Sequence, residues 1–120
     1  MLQSRAVAVN YYVALIFGAI LILTGIAGFL IPSDRALTSG APAYNLFHIF
    51  FGIFALVIVW TGHETCIRAF NVGFGLIDLY QALASRMSWF PAAQFRWKRA
   101  DDILHLLIGL ALVIIGILPF

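Results

Sequence analysis

The sequence predicts an all-α fold: an integral membrane four-helix bundle made of two helical hairpins in a pseudo-twofold parallel repeat. Three observations lead there. The 120 residues are 63% apolar and only 10% charged, with a mean hydropathy of +1.03, more apolar surface than a water-soluble domain of this size can hide. Three stretches, Tyr11–Ile31, Tyr44–Gly62 and Ile103–Phe120, lack charge for close to the ~20 residues that cross a bilayer as a helix, and a fourth, Ala69–Ser85, carries one acid. Finally, NLFHIFFG at 45–52 is answered fifty-seven positions later by DILHLLIG at 102–109. Both fit one template, an amide or carboxylate, two apolar residues, a histidine, three apolar residues and a glycine.

Backbone polar groups in lipid must be paired within a helix or in a closed barrel. These runs do not alternate as barrel strands do. The chain is therefore read as one domain, 1–120, with spans over 8–31, 44–63, 66–86 and 101–119 and an interfacial loop over 87–100. The first apolar run is too long for the core of a signal peptide and lacks a small-residue cleavage site after it, so the first span is expected to stay in place. The single cysteine, Cys66, excludes an internal disulfide. A net charge of +2 gives no argument for nucleic acid.

Four spans put both termini and residues 63–68 on one face, with Arg5 and Arg68. Loops 32–43 and 86–101 share the other, with Arg35, Arg86, Arg96, Lys98 and Arg99. The positive-inside rule places those loops in the cytoplasm and both termini outside a bacterial inner or photosynthetic membrane. Tyr11, Tyr12 and Trp60 at one interface, and Tyr44, Trp89 and Trp97 at the other, form the aromatic belts that such a topology requires.

Within span one, Ala14, Gly18, Gly25 and Gly28 keep near one face. That seam lets a neighbouring backbone approach, inside the bundle by preference or in another subunit as the alternative. In the loop, Trp89, Phe90, Phe95 and Trp97 mix with Arg96, Lys98 and Arg99. Such a stretch suits the lipid headgroup region, where Pro91 can start a short helix.

Asn45 and Asp102 open spans two and four and are expected as N-caps, with His48 and His105 three residues on. A second use of these histidines is tetrapyrrole ligation. Gly52 and Gly109, one turn past each histidine, would leave the gap over which a haem or chlorophyll-type macrocycle lies. Asp78 stands about 12 Å below the basic face at 1.5 Å per residue. Intramembrane acids are costly and usually face inward with a partner. Asp78 is accordingly expected near His48 and His105 in a polar cluster with Asn45, Asp101 and Asp102, with Tyr80 and Gln81 close in sequence. His63-Glu64-Thr65-Cys66 offers a metal too few ligands and reads as a hairpin turn. No triad, phosphate loop or nucleotide fingerprint occurs, so no enzyme is expected.

In the order of its motifs the chain resembles a family of bacterial four-span membrane proteins known only as a domain of unknown function. The residues are Gly28, Phe29 and Pro32 closing span one, Asn45 and His48 opening span two, Arg68 and Phe70 opening span three, and Asp101, Leu104 and His105 opening span four. The resemblance implies a four-helix membrane fold and no particular chemistry. It also marks Asp78 as a departure, since an aromatic residue is expected after Gly75.

Taken together, the expectation is a non-catalytic accessory subunit of a larger respiratory or photosynthetic membrane complex, without cofactor, touching lipid and its partner through the glycine seams and the aromatic loop. The alternatives are a haem- or chlorophyll-binding protein using His48 and His105, and a small proton-linked transporter or channel built around Asp78.

Overall fold

A computed structural model describes residues 2–118, with side chains from residue 5 onward. The end of the fourth expected span, at residue 119, lies outside the described residues. The chain forms α1 (Leu2–Leu30), α2 (Pro42–Thr61), α3 (Glu64–Met87), the short α4 (Ala92–Phe95) and α5 (Arg99–Ile117), with no strand among the described residues.

Local chemistry sets the helix limits. α1 stops two residues before Pro32, which disfavours helical backbone at the residue preceding it. α2 starts with Pro42 at its first position, where the missing N–H costs nothing, and ends at Gly62, left-handed at φ 73°. α3 follows directly and carries Arg86 in its last turn, the sign that suits a helix C-terminus.

Neither expected N-cap holds. α2 and α5 begin three residues before Asn45 and Asp102, so both residues are helical: their backbone N–H groups donate to Ala41 O (2.9 Å) and Lys98 O (3.2 Å). The acid that caps α5 is Asp101, whose Oδ2 accepts the Lys98 N–H at 2.8 Å.

The helices pair as two hairpins, α1 against α2 and α3 against α5. Glycine makes both contacts close. A Cβ on Gly52 would stand 2.7 Å from the Gly18 carbonyl, and a Cβ on Gly109 or Gly75 would stand 2.8 Å from the other's carbonyl. Gly75 and Gly109 lie fifty-seven positions after Gly18 and Gly52, so the spacing that relates the two histidines also relates the two helix crossings. The glycines expected as seams are thus spent inside the hairpins, and Gly25 likewise meets the Asn45 carbonyl. They offer nothing to another subunit.

Between the hairpins lie Leu21, Ala55, Phe70, Phe74 and Leu112, with Phe17, Phe47 and Phe51 against them. Phe74 is central, its ring 5.1 Å from Phe51, 5.5 Å from Phe17 and 5.7 Å from Phe70. Nearer the chain termini a polar tie replaces the rings. Asn71 Nδ2 donates to Asn10 Oδ1 (3.0 Å), and Asn10 Nδ2 donates to Ala6 O and Ile115 O, linking α1, α3 and α5. Asn71→Ala should cost about 1–2 kcal/mol, because it orphans a buried acceptor where no water competes. A thermal melt in lipid nanodiscs reads this loss.

At the opposite end the α1–α2 loop is strapped down. Lys98 Nζ donates to Ser33 O (2.7 Å) and Ala36 O (2.6 Å), the Ser39 N–H to Asp101 Oδ2 (2.8 Å), and Ser39 Oγ to Phe95 O (2.5 Å). The outer surface is studded with large apolar side chains, among them Ile16, Leu23, Phe50, Val57 and Leu107. α1, α2 and α5 are long and apolar enough to cross a membrane; α3 is long but more polar.

Candidate functional site

Just below the strap, α1, α2, α3 and α5 enclose a cavity of about 210 Å³. Phe17, Leu21, Phe74 and Ile108 make its apolar wall, and Tyr44, His48, Asp78, Asp101 and His105 supply its polar groups. The helix pairing explains the convergence. Tyr44 and His48 are four apart on α2, Asp101 and His105 four apart on α5, so each pair shares one helix face, and both faces turn toward Asp78 on α3.

Asp101 organises one side. Its Oδ2 takes two backbone N–H groups, from Ser39 and Lys98, and its Oδ1 takes the Tyr44 hydroxyl at 3.0 Å. Three donors make this buried carboxylate the acceptor throughout. The Tyr44 O–H is therefore used in donating to Asp101, and the phenol oxygen accepts the Nε2–H of His105 at 2.7 Å. That contact assigns the His105 tautomer and leaves its buried Nδ1 without a partner.

His48 and Asp78 form the other side and are less satisfied. The Tyr44 ring packs on His48 at 4.1 Å, yet the buried Nδ1 of His48 has no hydrogen-bond partner among the described residues, and the residue is only 7% exposed. Asp78, 3% exposed, accepts one long hydrogen bond from Gln81 Nε2 (3.2 Å), and no cation pairs with it among the described residues. Gln81 is held in turn by Trp97 Nε1 (3.2 Å).

The structure thus brings together His48, His105, Asp78 and Asp101 and leaves out the rest of the expected cluster. Asn45 turns its amide to Gly40 O (2.9 Å), outside the cavity. Asp102 lies in a separate groove with Arg86 and Arg99, its Oδ1 buried and unpartnered. Tyr80 donates outward to Phe90 O (2.7 Å). Tyr44, the hub of the site, went unrecognised in the sequence, although a signal was present: extending the repeated template one residue toward the N-terminus sets Tyr44 opposite Asp101.

The site does not fit a tetrapyrrole. Gly52 and Gly109 leave no gap, since Gly18 and Ile22 fill one and Gly75 and Leu79 the other. His105 Nε2 is taken by Tyr44, and the cavity is smaller than the ~300–1,000 Å³ usual for drug-sized ligands, let alone a macrocycle. Among the described residues, no three His, Cys, Asp or Glu side chains are grouped to hold a metal ion.

Comparison with protein-family models, with curated proteins and with solved structures finds no match to this chain. The site must be read from its own geometry.

Proposed function

We propose that α1, α2, α3 and α5 all cross the bilayer as a four-helix bundle, and that the protein is a non-catalytic accessory protein of a bacterial membrane whose working part is this cavity, a binding site for a small ligand. The observation that carries the reading is His48 and Asp78, buried in an apolar setting with hydrogen-bonding capacity unused. Burying such groups unsatisfied costs stability, and ionisable residues within membrane helices mark functional sites by default.

The polarity of α3 is compatible with a span. Glu64 and Arg68 pair at 3.6 Å near its start and Arg86 ends it, so Asp78 is the lone acid between, and Asn71, Asp78 and Gln81 are all buried. Its 24 residues reach about 36 Å. A proton-linked transporter is less well supported. Between Asp78 and Glu64, the nearest acid along α3 toward the other face, stand the phenylalanine cluster and the Asn10–Asn71 tie, and Arg68 already holds Glu64. A larger membrane complex is the proposed setting. It would meet the lipid-facing side chains or the loop around Trp89 and Phe90, since the glycine seams are buried.

Two experiments test this. In a Cys66→Ser background, single cysteines at His63, Ser33 and Gln94 should react with an impermeant maleimide so that His63 labels from the side opposite the other two. Labelling of His63 and Gln94 from one side would mean that α3 does not cross. For the binding role, an organic extract of protein purified in mild detergent should contain, by mass spectrometry, a small molecule missing from the His48→Phe variant.

A further inference from the structure

We propose that the cavity holds the head of a membrane-dissolved quinone, a neutral six-membered ring bearing carbonyl or hydroxyl oxygens on a hydrocarbon tail, and that this head enters sideways from the bilayer between α1 and α5. The inference rests on the ligand-binding reading above and adds the ligand class and its route.

The route follows from where the cavity is open. Ile20 on α1 and Leu104 on α5 line it and are nonetheless 51% and 41% exposed, so they mark its mouth. α1 and α5 make far less mutual contact than the helices within either hairpin, which leaves a slot there. Toward the loop face the way is shut by the strap, with Lys98 on Ser33 and Ala36 and Asp101 on Ser39. A ligand arriving from water would have to break these three hydrogen bonds. One dissolved in the acyl chains meets only apolar side chains at the mouth, and its tail can stay outside in lipid.

The chemistry of the lining selects the head. No Lys or Arg faces the cavity, so an anionic head such as a fatty carboxylate would lie there desolvated and unpaired. A cation would have to shed its water in an apolar doorway before reaching Asp78, and Asp101 is already spent on Ser39, Lys98 and Tyr44. A neutral head pays neither cost. What awaits it is a neutral-ligand set: His48, which in either tautomer offers one donor and one acceptor, the free oxygen of Asp78, and the hydroxyls of Thr24 and Thr38. Phe17, Tyr44 and Phe74 give a flat ring aromatic neighbours. At a water's share of ~30 Å³, the volume equals roughly seven waters, enough for one substituted ring and too little for a fused macrocycle.

The test uses the full chain in lipid nanodiscs with Trp60→Phe and Trp89→Phe, which leaves Trp97, 6.4 Å from His105, as the fluorescent reporter. A ubiquinone with a decyl tail is the probe. Saturable quenching is expected, and unchanged with Leu110→Phe, a lipid-facing control on α5. His48→Phe, and separately Ile20→Phe with Leu104→Phe to narrow the mouth, should each weaken binding about tenfold or more. Asp78→Asn should change it less than about threefold, since the amide keeps a hydrogen-bonding head. The mouth variant removes no polar group, so it carries the test if His48→Phe does not fold. Quenching that rises linearly and equally in every variant overturns the proposal. So does saturable binding of tetraphenylphosphonium that Asp78→Asn abolishes, which makes the cavity a cation-binding site. If the quinone fails while the native extract still holds some other lipophile missing from His48→Phe, the quinone assignment falls and the binding role stands; if the extract holds none, both fall.

Discussion

Gly109→Leu is expected to abolish the fold, with no cooperative melt in nanodiscs, whereas Gly73→Leu, two residues from Gly75 on the facing helix, should melt within about 0.5 kcal/mol of the parent. At Gly109 even the first added carbon lies 2.8 Å from the Gly75 carbonyl and 3.0 Å from Leu79. A side chain can swing aside, but a carbonyl moves only with its helix. α3 and α5 would separate along the face on which they pack, and if both cross the bilayer as proposed, that packing supplies most of their association, because lipid gives no hydrophobic drive between helices. Overpacking typically costs 1–3 kcal/mol where side chains can adjust, and more where backbone stands in the way. A Cβ at Gly73 meets nothing within 4 Å. Gly52→Leu should reproduce the Gly109 result in the other hairpin, since its first added carbon lies 2.7 Å from the Gly18 carbonyl. A tolerant Gly109 alongside an intolerant Gly52 would break the equivalence of the two crossings.

The second large effect is Asp101→Ala, which should destabilise by at least about 3 kcal/mol. It strips the acceptor from the Ser39 N–H, the Lys98 N–H and the Tyr44 hydroxyl together, the first and last buried and the Lys98 N–H part-buried, and each orphaned buried donor costs about 1–3 kcal/mol. The α1–α2 loop should loosen first, so protease cleavage within 33–40 ought to rise with the fall in melting temperature. Asp102→Ala should be nearly silent, since Asp102 Oδ1 already lacks a partner. The sequence assigned the capping role to Asp102, the reverse of what the structure shows.

That reversal shows where sequence reasoning stops. Hydropathy located the helices well, because an apolar run of about twenty residues has few other uses. Helix starts were misplaced because the apolar run, and not the backbone signal, was taken as the beginning: Pro42, favoured at a first helical position, was in plain view before Asn45. Shifting the start by three residues turns the presumed cap into a mid-turn residue and passes the capping role to Asp101. The glycine after each histidine was read as empty surface. Its occupant is another glycine's backbone, a contact that exists only once the hairpins are paired. Asp78 was found because an acid is conspicuous among apolar residues. Tyr44 was missed because a tyrosine near a span end has a ready explanation as an interfacial anchor. The Asn10–Asn71 tie was missed because nothing in the spacing of two distant amides foretells a meeting across α1 and α3.

The central claim is that Tyr44 stands between two histidines inside the protein, donating to Asp101 and accepting from His105 with His48 packed on its ring. Solid-state NMR of histidine- and tyrosine-labelled protein in lipid bilayers tests it most directly. Through-space correlations should join the Tyr44 ring to both His48 and His105, with the His105 proton on Nε2 and Nδ1 bare. Histidine rings that correlate with lipid acyl chains instead, or a His105 protonated on Nδ1 alone, would contradict it.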